Sequence, residues 1–135
     1  MALLKWTKKY SVGVDAIDKE HAAFLGGLNK LHSAMLLGQG KRVTGPLLQK
    51  LPVAARHHFA TEESMMKDAN YPGLAAHRDK HQQFARHLDE LVALHEHGDR
   101  SLSILLLRFM RRWISDHVQT EDRAFAPWLK KHGIK

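Results

Sequence analysis

The sequence predicts an all-α fold, an antiparallel up-down-up-down four-helix bundle with an extended N-terminal arm and a short C-terminal helix. Four long segments repeat apolar residues at steps of three and four, the spacing of one helix face, and no segment shows the alternation of a strand. Short turns containing Gly or Pro separate the segments, so consecutive helices should run antiparallel. The 135 residues suffice to bury one core, and we expect a single domain over residues 1–135.

The first two helices are predicted from their start and stop signals. The first begins near Asp15, with Asp18 as its partner in a capping pair, and ends at Gly38-Gln39-Gly40. The second is expected to open at Thr44-Gly45-Pro46, because Pro fits the first turn of a helix. Pro52 falls inside its apolar pattern, and we expect a late start or a kink there.

The remaining elements are predicted in the same way. The turn Asn70-Tyr71-Pro72-Gly73 precedes the most regular apolar stripe of the chain, which Gly98 ends, and Ser101 can cap the fourth helix. A tail over residues 121–132 is expected to form a further helical piece that is interrupted at Pro127. Before the first helix, an extended arm is expected to pack along the bundle through Trp6, Tyr10 and Val12.

The composition restricts the chemistry that the protein can perform. The chain has 11 His and no Cys, which excludes disulfides, iron–sulfur clusters, thiolate zinc sites and a thiol nucleophile. Any metal must therefore be bound by imidazole and carboxylate groups. The N-terminal apolar run is too short for a secretory signal and no stretch is long enough to span a membrane, so we expect a cytoplasmic protein.

The chain is basic, with 21 Lys and Arg against 14 Asp and Glu and a formal net charge of +7. Such a charge raises the question of nucleic-acid binding. No recognised binding motif accompanies the basic residues, so nucleic acid is not the expected partner. The residues concerned are Lys5, Lys8, Lys9, Arg108, Arg111 and Arg112.

Several ionisable residues stand on inward helix faces where a plain bundle would have Leu. Burial of such groups costs several kcal/mol unless they are paired or bind a metal. In this topology the starts of helices one and three lie beside the ends of helices two and four, so these residues should form one layer: His21, His58, Glu62, His77, His81 and His117. The other histidines should be solvated or lie near helix C-termini: His32, His57, His87, His95, His97 and His132.

The spacing within this layer suits the binding of one site from several helices. His58 and Glu62, like His77 and His81, are four residues apart and therefore share one helix face. A further carboxylate should accompany His117. Glu121 lies four residues after it, whereas Asp122 lies five residues after it, about 140° around an ideal helix. Use of Asp122 would therefore require a π-type bulge or a helix break, and the spacing leaves both residues possible.

The number of candidate ligands indicates two metal ions. Five imidazoles and two carboxylates exceed what one ion uses, whereas two ions bridged by both carboxylates and an oxo or hydroxo group use them all. One ion then has a full octahedron, and the other has an open position for a small ligand. Zinc is disfavoured because its structural sites are closed tetrahedra, and imidazole-rich octahedral sites suit iron.

Several motifs occur together over nearly the whole chain, and in combination they are highly specific. They are Tyr10-Ser11-Val12-Gly13-Val14 with Ile17-Asp18 and His21, His58-Phe59-x-x-Glu62-Glu63, Tyr71-Pro72 with His77-x-x-x-His81, and Trp113-Ile114-x-x-His117 with Asp122. By these motifs the chain resembles the single-domain bacterial hemerythrins. The resemblance implies a non-haem diiron centre with an oxo or hydroxo bridge that binds O2 reversibly.

The resemblance also implies a role for each site residue. The iron with all its positions filled would be bound by His77, His81 and His117. The iron with the open position would be bound by His21 and His58, and Glu62 and Asp122 would bridge the two, which favours Asp122 over Glu121. Phe125 stands where we expect an aromatic residue with a hydroxyl. The O2 pocket would be lined by Phe24, Phe59, Trp113 and Ile114.

Three classes of function remain at this stage. Storage, transport or delivery of O2 to an O2-consuming enzyme is the first, and we expect a monomeric binding protein rather than an enzyme. An oxygen sensor, or a diiron oxygenase or ferroxidase, is the alternative, but diiron enzymes of this architecture use Glu-rich ligands. An acidic O2-consuming enzyme or an anionic membrane surface fits the positive charge better than nucleic acid does.

Overall fold

The computed structural model of the protein describes residues 4–97 and 102–134, apart from the side chains of Thr120 and Glu121. Its elements are α1 (Asp15–Leu36), α2 (Gly40–Asp68), α3 (Leu74–Glu96), α4 (Leu102–Arg112), a π-helical segment (Trp113–Asp122) and α5 (Arg123–Lys131). No strand occurs within these described ranges, and the predicted all-α fold is confirmed. The stop signal Gly98 and the cap Ser101 lie outside the described residues.

The helices α1 to α4 form the predicted up-down-up-down bundle. α1 and α3 each pack against both α2 and α4. Residues 37–39 join α1 to α2 and residues 69–73 join α2 to α3, so consecutive helices reverse direction. Gly38 allows the first reversal with a φ of +71°, a conformation that favours Gly. None of the helices in the described ranges combines the length and the apolar character that a membrane crossing needs.

The bundle core consists of two apolar clusters with a polar layer between them. Along α1, buried Ile17 belongs to one cluster, His21 follows one turn later, and Leu25 belongs to the other cluster. α2 runs in the opposite direction, from Ala55 in the cluster of Leu25 to Met66 in the cluster of Ile17. Apolar packing on both sides therefore keeps water away from the polar layer and raises the cost of leaving its side chains unpaired.

The N-terminal arm is held against the bundle by Asp18. Its carboxylate accepts hydrogen bonds from the backbone N–H of Val12 at 2.9 Å and from Ser11 Oγ at 2.6 Å. α1 begins at Asp15 as predicted, but no side chain caps it, so the carboxylate of Asp18 fixes the arm rather than closing a capping pair. Tyr10 and Val12 are buried as the arm prediction requires, while one turn interrupts the extended chain at residues 8–10.

α2 begins earlier than the sequence predicts and does not break. It starts at Gly40 rather than at Thr44, and the late start expected from Pro52 is wrong. A Cβ at Gly40 would lie 2.9 Å from Met35 and 3.1 Å from Ser103, so this glycine permits close helix packing instead of ending a turn. Each proline removes one backbone hydrogen bond, and the buried apolar side chains of α2 outweigh that loss.

α5 is the predicted C-terminal helical piece, but Pro127 does not interrupt it. Phe125, Ala126 and Leu129 are all buried in the second apolar cluster, on both sides of the proline. This packing stabilises the helix more than one missing hydrogen bond destabilises it. α5 thereby covers the end of the bundle next to the polar layer.

Candidate metal centre

All the side chains predicted as ligands are buried and converge on one place. They form two overlapping groups, and within each group one potential ligand atom per residue lies within 4.8 Å of the others. The first group contains His21 and His58, and the second contains His77 and His81. Both groups contain Glu62, His117 and Asp122. The largest exposed fraction among these residues is 6%, at His77.

Glu62 directs one carboxylate oxygen toward each group. Its Oε1 lies 2.9 Å from His81 Nε2 and 3.0 Å from His117 Nε2. Its Oε2 lies 3.4 Å from His58 Nε2. A carboxylate with its two oxygens divided in this way is suited to bridge two cations.

Asp122 repeats the arrangement from the opposite helix. Its Oδ1 lies 2.9 Å from His77 Nε2, and its Oδ2 lies 2.7 Å from His21 Nε2. His117 Nε2 is 3.2 Å from the same Oδ2, so this imidazole lies between the groups. Two carboxylates therefore lie between one histidine pair, His21 and His58, and the other, His77 and His81, and His117 is shared by both groups.

The π-helical segment brings Asp122 into the layer. In a π-helix the backbone hydrogen bonds join residues five apart, so His117 and Asp122 stand near one face. This segment is the local distortion that an ideal helix would need before Asp122 could join His117. The side chain of Glu121, the other residue that the spacing left possible, lies outside the described part of the structure.

The charges within the layer support one another. Burial lowers the pKa of His58, but the charge of Glu62 and polar contacts with Asp122 outweigh it and raise that pKa well above its usual value. Burial also lowers the pKa of His77, but contacts with Asp122 and Glu62 outweigh it and raise that pKa to about 9. Burial also opposes ionisation of Glu62, yet the imidazoles of His117 and His58 hold its pKa well below the usual range.

Asp122 behaves in the same way. Burial and the charge of Glu62 raise its pKa, but His117 outweighs them and the pKa is lowered. The carboxylates thus favour the protonated forms of the His58 and His77 imidazoles. Metal ligands bind in their deprotonated forms, so cations entering the layer would displace these protons.

Several buried polar atoms have no aligned hydrogen-bond partner. They are Oε2 of Glu62, both carboxylate oxygens of Asp122 and Nε2 of His77. Each lies close to other polar atoms, but not in a direction that makes a hydrogen bond. Native interiors leave few such groups unsatisfied, and an ion is one explanation for them. The convergent imidazole nitrogens and carboxylate oxygens fit a pair of iron ions.

Two further carboxylates orient the histidines from outside the layer. His58 Nδ1 donates a hydrogen bond to Glu20 Oε1 at 3.0 Å, and His81 Nδ1 donates to Glu63 Oε2 at 2.8 Å. Arg78 Nε in turn donates to Glu63 Oε1 at 2.8 Å. A carboxylate on the second nitrogen fixes the ring of a metal-binding histidine. Neither carboxylate could be predicted from local spacing, because each contacts a histidine on a different helix.

The comparison with known proteins agrees with this geometry. The family model of the hemerythrin HHE cation binding domain matches residues 12–129. The chain belongs to this family. The match spans the arm from Val12 onward and the bundle as far as Leu129, so it includes every residue of the candidate metal centre.

Individual hemerythrins match the chain over almost its full length. A bacteriohemerythrin of Stenotrophomonas maltophilia (strain R551-3) is 33% identical over 98% of this chain and 85% of the relative. Hemerythrin subunit 2 of Golfingia vulgaris is 28% identical over 87% of this chain and 85% of the relative. A crystal structure of wild-type hemerythrin has a TM-score of 0.83 and 26% identity, covering 95% of this chain and 98% of that one. The four-helix bundle is therefore that of hemerythrin.

An apolar cavity of about 250 Å³ lies between α1 and α2, and His58 is part of its wall. Phe24 and Trp113, both predicted as pocket residues, stack at 3.9 Å between ring centroids and line it. They also line a smaller void with Phe59. Ile114 is buried in the adjoining core but lines neither of these voids. The first histidine group of this hemerythrin thus borders a largely apolar space.

The remaining predictions concern residues around the centre. Phe125 is fully buried, and its ring lies edge-on to His77 with centroids 5.0 Å apart, so an apolar ring edge occupies this position. None of the six other histidines belongs to either group. His57, next to a predicted ligand, has a side chain that is 77% exposed. Position along the bundle and the face of the helix together separate the two classes of histidine.

Proposed function

We propose that this chain binds O2 reversibly at a pair of iron ions, for storage, transport or delivery to an O2-consuming enzyme. The observation that carries the proposal is the division of the Glu62 and Asp122 oxygens between two histidine groups. A single ion would need only one of these groups. The names hemerythrin and bacteriohemerythrin of the matched relatives support the same reading.

In this proposal each side chain has a defined task. His77, His81 and His117 bind one iron, and His21 and His58 bind the other. Glu62 and Asp122 would hold both irons, each with one carboxylate oxygen toward either side. Iron in this ligand set would supply electrons to O2 when it binds and would take them back when it leaves.

The side of His21 and His58 is the proposed place of ligand binding. With His117 assigned to the other iron, this side would offer two histidine nitrogens against three and would leave a position for an exogenous ligand. The apolar cavity beside His58 gives O2 access to that position. Phe24 and Trp113 exclude water there, which slows the entry of protons that would otherwise promote loss of the ligand in reduced form.

The ligand set favours a carrier over an enzyme. Five neutral imidazoles accompany two carboxylates, whereas the diiron enzymes of helical bundles use Glu from every helix with Glu-x-x-His pairs. Carboxylates stabilise high-valent iron, and their scarcity here favours reversible binding. The basic surface suits delivery to an acidic enzyme.

The test is to load the protein with Fe(II) without air, measure iron, and record the visible spectrum as O2 is added and removed. We expect about two irons per chain and an absorption band that appears and disappears with O2. His58→Ala should abolish the band because it removes a ligand from the O2-binding side. His95→Ala, a change to an exposed histidine of α3, should retain it.

Two results would contradict the proposal. One is a band that does not reverse when O2 is removed. The other is continuous O2 consumption, with NADH or an oxidisable substrate, above that of the metal-free protein, because it would indicate an oxygenase or oxidase.

A further inference from the structure

Acidic residues are missing from two long stretches of the chain. None of the 14 Asp and Glu lies within residues 21–61 or within residues 100–115. The same stretches contain nine Lys and Arg: Lys30, Lys41, Arg42, Lys50, Arg56, Arg100, Arg108, Arg111 and Arg112. The separation of charge is therefore far stronger than the net charge of the chain suggests.

The fold brings parts of these stretches together at the end of the bundle remote from the metal centre, where α3 also ends, at the exposed Glu96. The end of α1 and the start of α2 meet the start of α4, where Thr44 Oγ1 and Ser103 Oγ are 2.7 Å apart. Leu36 lies 15 residues beyond His21 on α1, which is about 22 Å along the helix axis. We call this end the basic tip and define it by Leu36, Leu37, Lys41, Arg42, Ile104 and Arg108.

The basic tip exposes apolar side chains among its cations. Leu37 is 74% exposed, Leu36 is 66% exposed and Ile104 is 48% exposed. Leu36 is the last residue of α1 and Leu37 is the first residue of the turn, just before Gly38, so both lie at the end of the bundle. Lys41, Arg42 and Arg108 are exposed and α4 contains no acidic residue, so these cations outnumber the exposed Glu96 at the end of α3. Adjacent exposed leucines lower the solubility of a protein unless they bind another apolar surface.

We propose that the basic tip docks on an anionic lipid surface. The two leucines enter the boundary between headgroups and acyl chains, and the surrounding cations contact the lipid phosphates. Each Lys or Arg held near an anionic bilayer strengthens binding about fivefold. A nucleic acid would match the charge but would leave the leucines exposed to water, so the combination favours lipid.

Docking in this orientation keeps the metal centre away from the lipid. The cavity beside His58 opens near Lys50 and His57, which lie ten and seventeen residues along α2 from Gly40. Lipid contact at the tip would therefore leave that opening in the aqueous phase. The inference does not depend on which small molecule the centre binds.

The experiment is co-sedimentation of the iron-loaded protein with phosphatidylcholine vesicles, with and without phosphatidylglycerol. We expect binding only to the anionic vesicles, and weaker binding as salt is added. Leu37→Asp should weaken binding at least about fivefold, whereas Val53→Asp, at an apolar residue of α2 that is 69% exposed, should change it less than about twofold. Arg42→Glu should weaken it at least about fivefold, and Lys67→Glu, near the other end of α2, should have a smaller effect.

Circular dichroism should show that all four variants keep the helical content of the parent. Three outcomes would overturn the proposal. They are no binding to anionic vesicles at low salt, equal losses for Leu37→Asp and Val53→Asp, and tight binding to duplex DNA that Arg42→Glu weakens and Leu37→Asp does not. The last outcome would assign the basic tip to nucleic acid.

Discussion

The two histidine groups of the metal centre share their carboxylates but differ in what surrounds them. His58 borders an apolar cavity of about 250 Å³, and its outer carboxylate, Glu20, receives no arginine hydrogen bond among the described contacts. His81 borders a shallow groove of about 270 Å³ whose walls include Glu63 and Arg78. Arg78 donates to the same carboxylate that orients His81.

The difference indicates that the two sides have different roles, although their ligands are of the same types. The side of His81 is fixed by a chain of hydrogen bonds that reaches a charged surface, so it suits an ion whose ligands do not change. The side of His58 faces a largely apolar cavity, so it suits an ion that gains and loses a small molecule. The adjoining cavity and the hydrogen bonds of the outer carboxylates, rather than the ligand types, distinguish the two sides.

The largest effect is expected from a change to a group that both sides share. Asp122→Ala removes one oxygen from each histidine group, so the iron content should fall from about two per chain to below about one. The matched control is Asp116→Ala, a substitution in the same π-helical segment at a side chain that is 58% exposed. Iron analysis after anaerobic loading measures the difference. Equal iron in the two variants would refute the bridging role.

A smaller effect is expected from the outer carboxylates, and it should differ between the two sides. Glu63→Gln and Glu20→Gln should each lower iron affinity by about 10- to 100-fold, because the imidazoles lose the partners that orient them. Glu20→Gln should also shift the O2-dependent band, since it acts on the side where we propose that O2 binds. Competition with an iron chelator measures the affinities.

Glu90→Gln, at an exposed carboxylate of α3, is the control for both substitutions. If Glu63→Gln and Glu20→Gln bind iron as tightly as this control, the two carboxylates do not position the ligands. If Glu63→Gln shifts the O2-dependent band as strongly as Glu20→Gln does, the proposed difference between the two sides is wrong.

The smallest effect is expected from filling the apolar cavity. Ala54→Phe places a ring in the cavity wall and should slow O2 binding several-fold without changing the iron content. Ala85→Phe, in the wall of the groove beside His81, should leave the rate unchanged. Rapid mixing of the reduced protein with O2 measures both rates. A slower rate for Ala85→Phe alone would place O2 entry on the other side.

The bundle could be predicted from the sequence because each helix is amphipathic over several turns. The periodicity of α1 and α3, together with short turns, leaves few alternatives to an antiparallel bundle. The start of α2 could not be predicted, because Gly40 has the usual appearance of a stop signal. Its actual role depends on the close approach of Met35 and Ser103, which belong to other parts of the fold.

The histidine layer was also predictable, because position along the bundle places His21, His58, His77, His81 and His117 at one level. Ideal helix geometry did not predict a ligand five residues after His117, and only the family resemblance favoured Asp122. A π-helical segment depends on how the chain packs beyond its own local preferences. Glu20 and Glu63 escaped prediction because their neighbours in the sequence are not the residues that they contact.

The central claim is reversible binding of O2 at two irons, and repeated gas exchange tests it most directly. A known amount of the reduced, iron-loaded protein is exposed to O2 in a sealed electrode chamber, returned to vacuum or argon, and exposed again. We predict O2 uptake in proportion to the iron pairs present, full return of the gas, and the same uptake in the next cycle. O2 that is consumed without return, or uptake that is unchanged in Asp122→Ala, would contradict the claim.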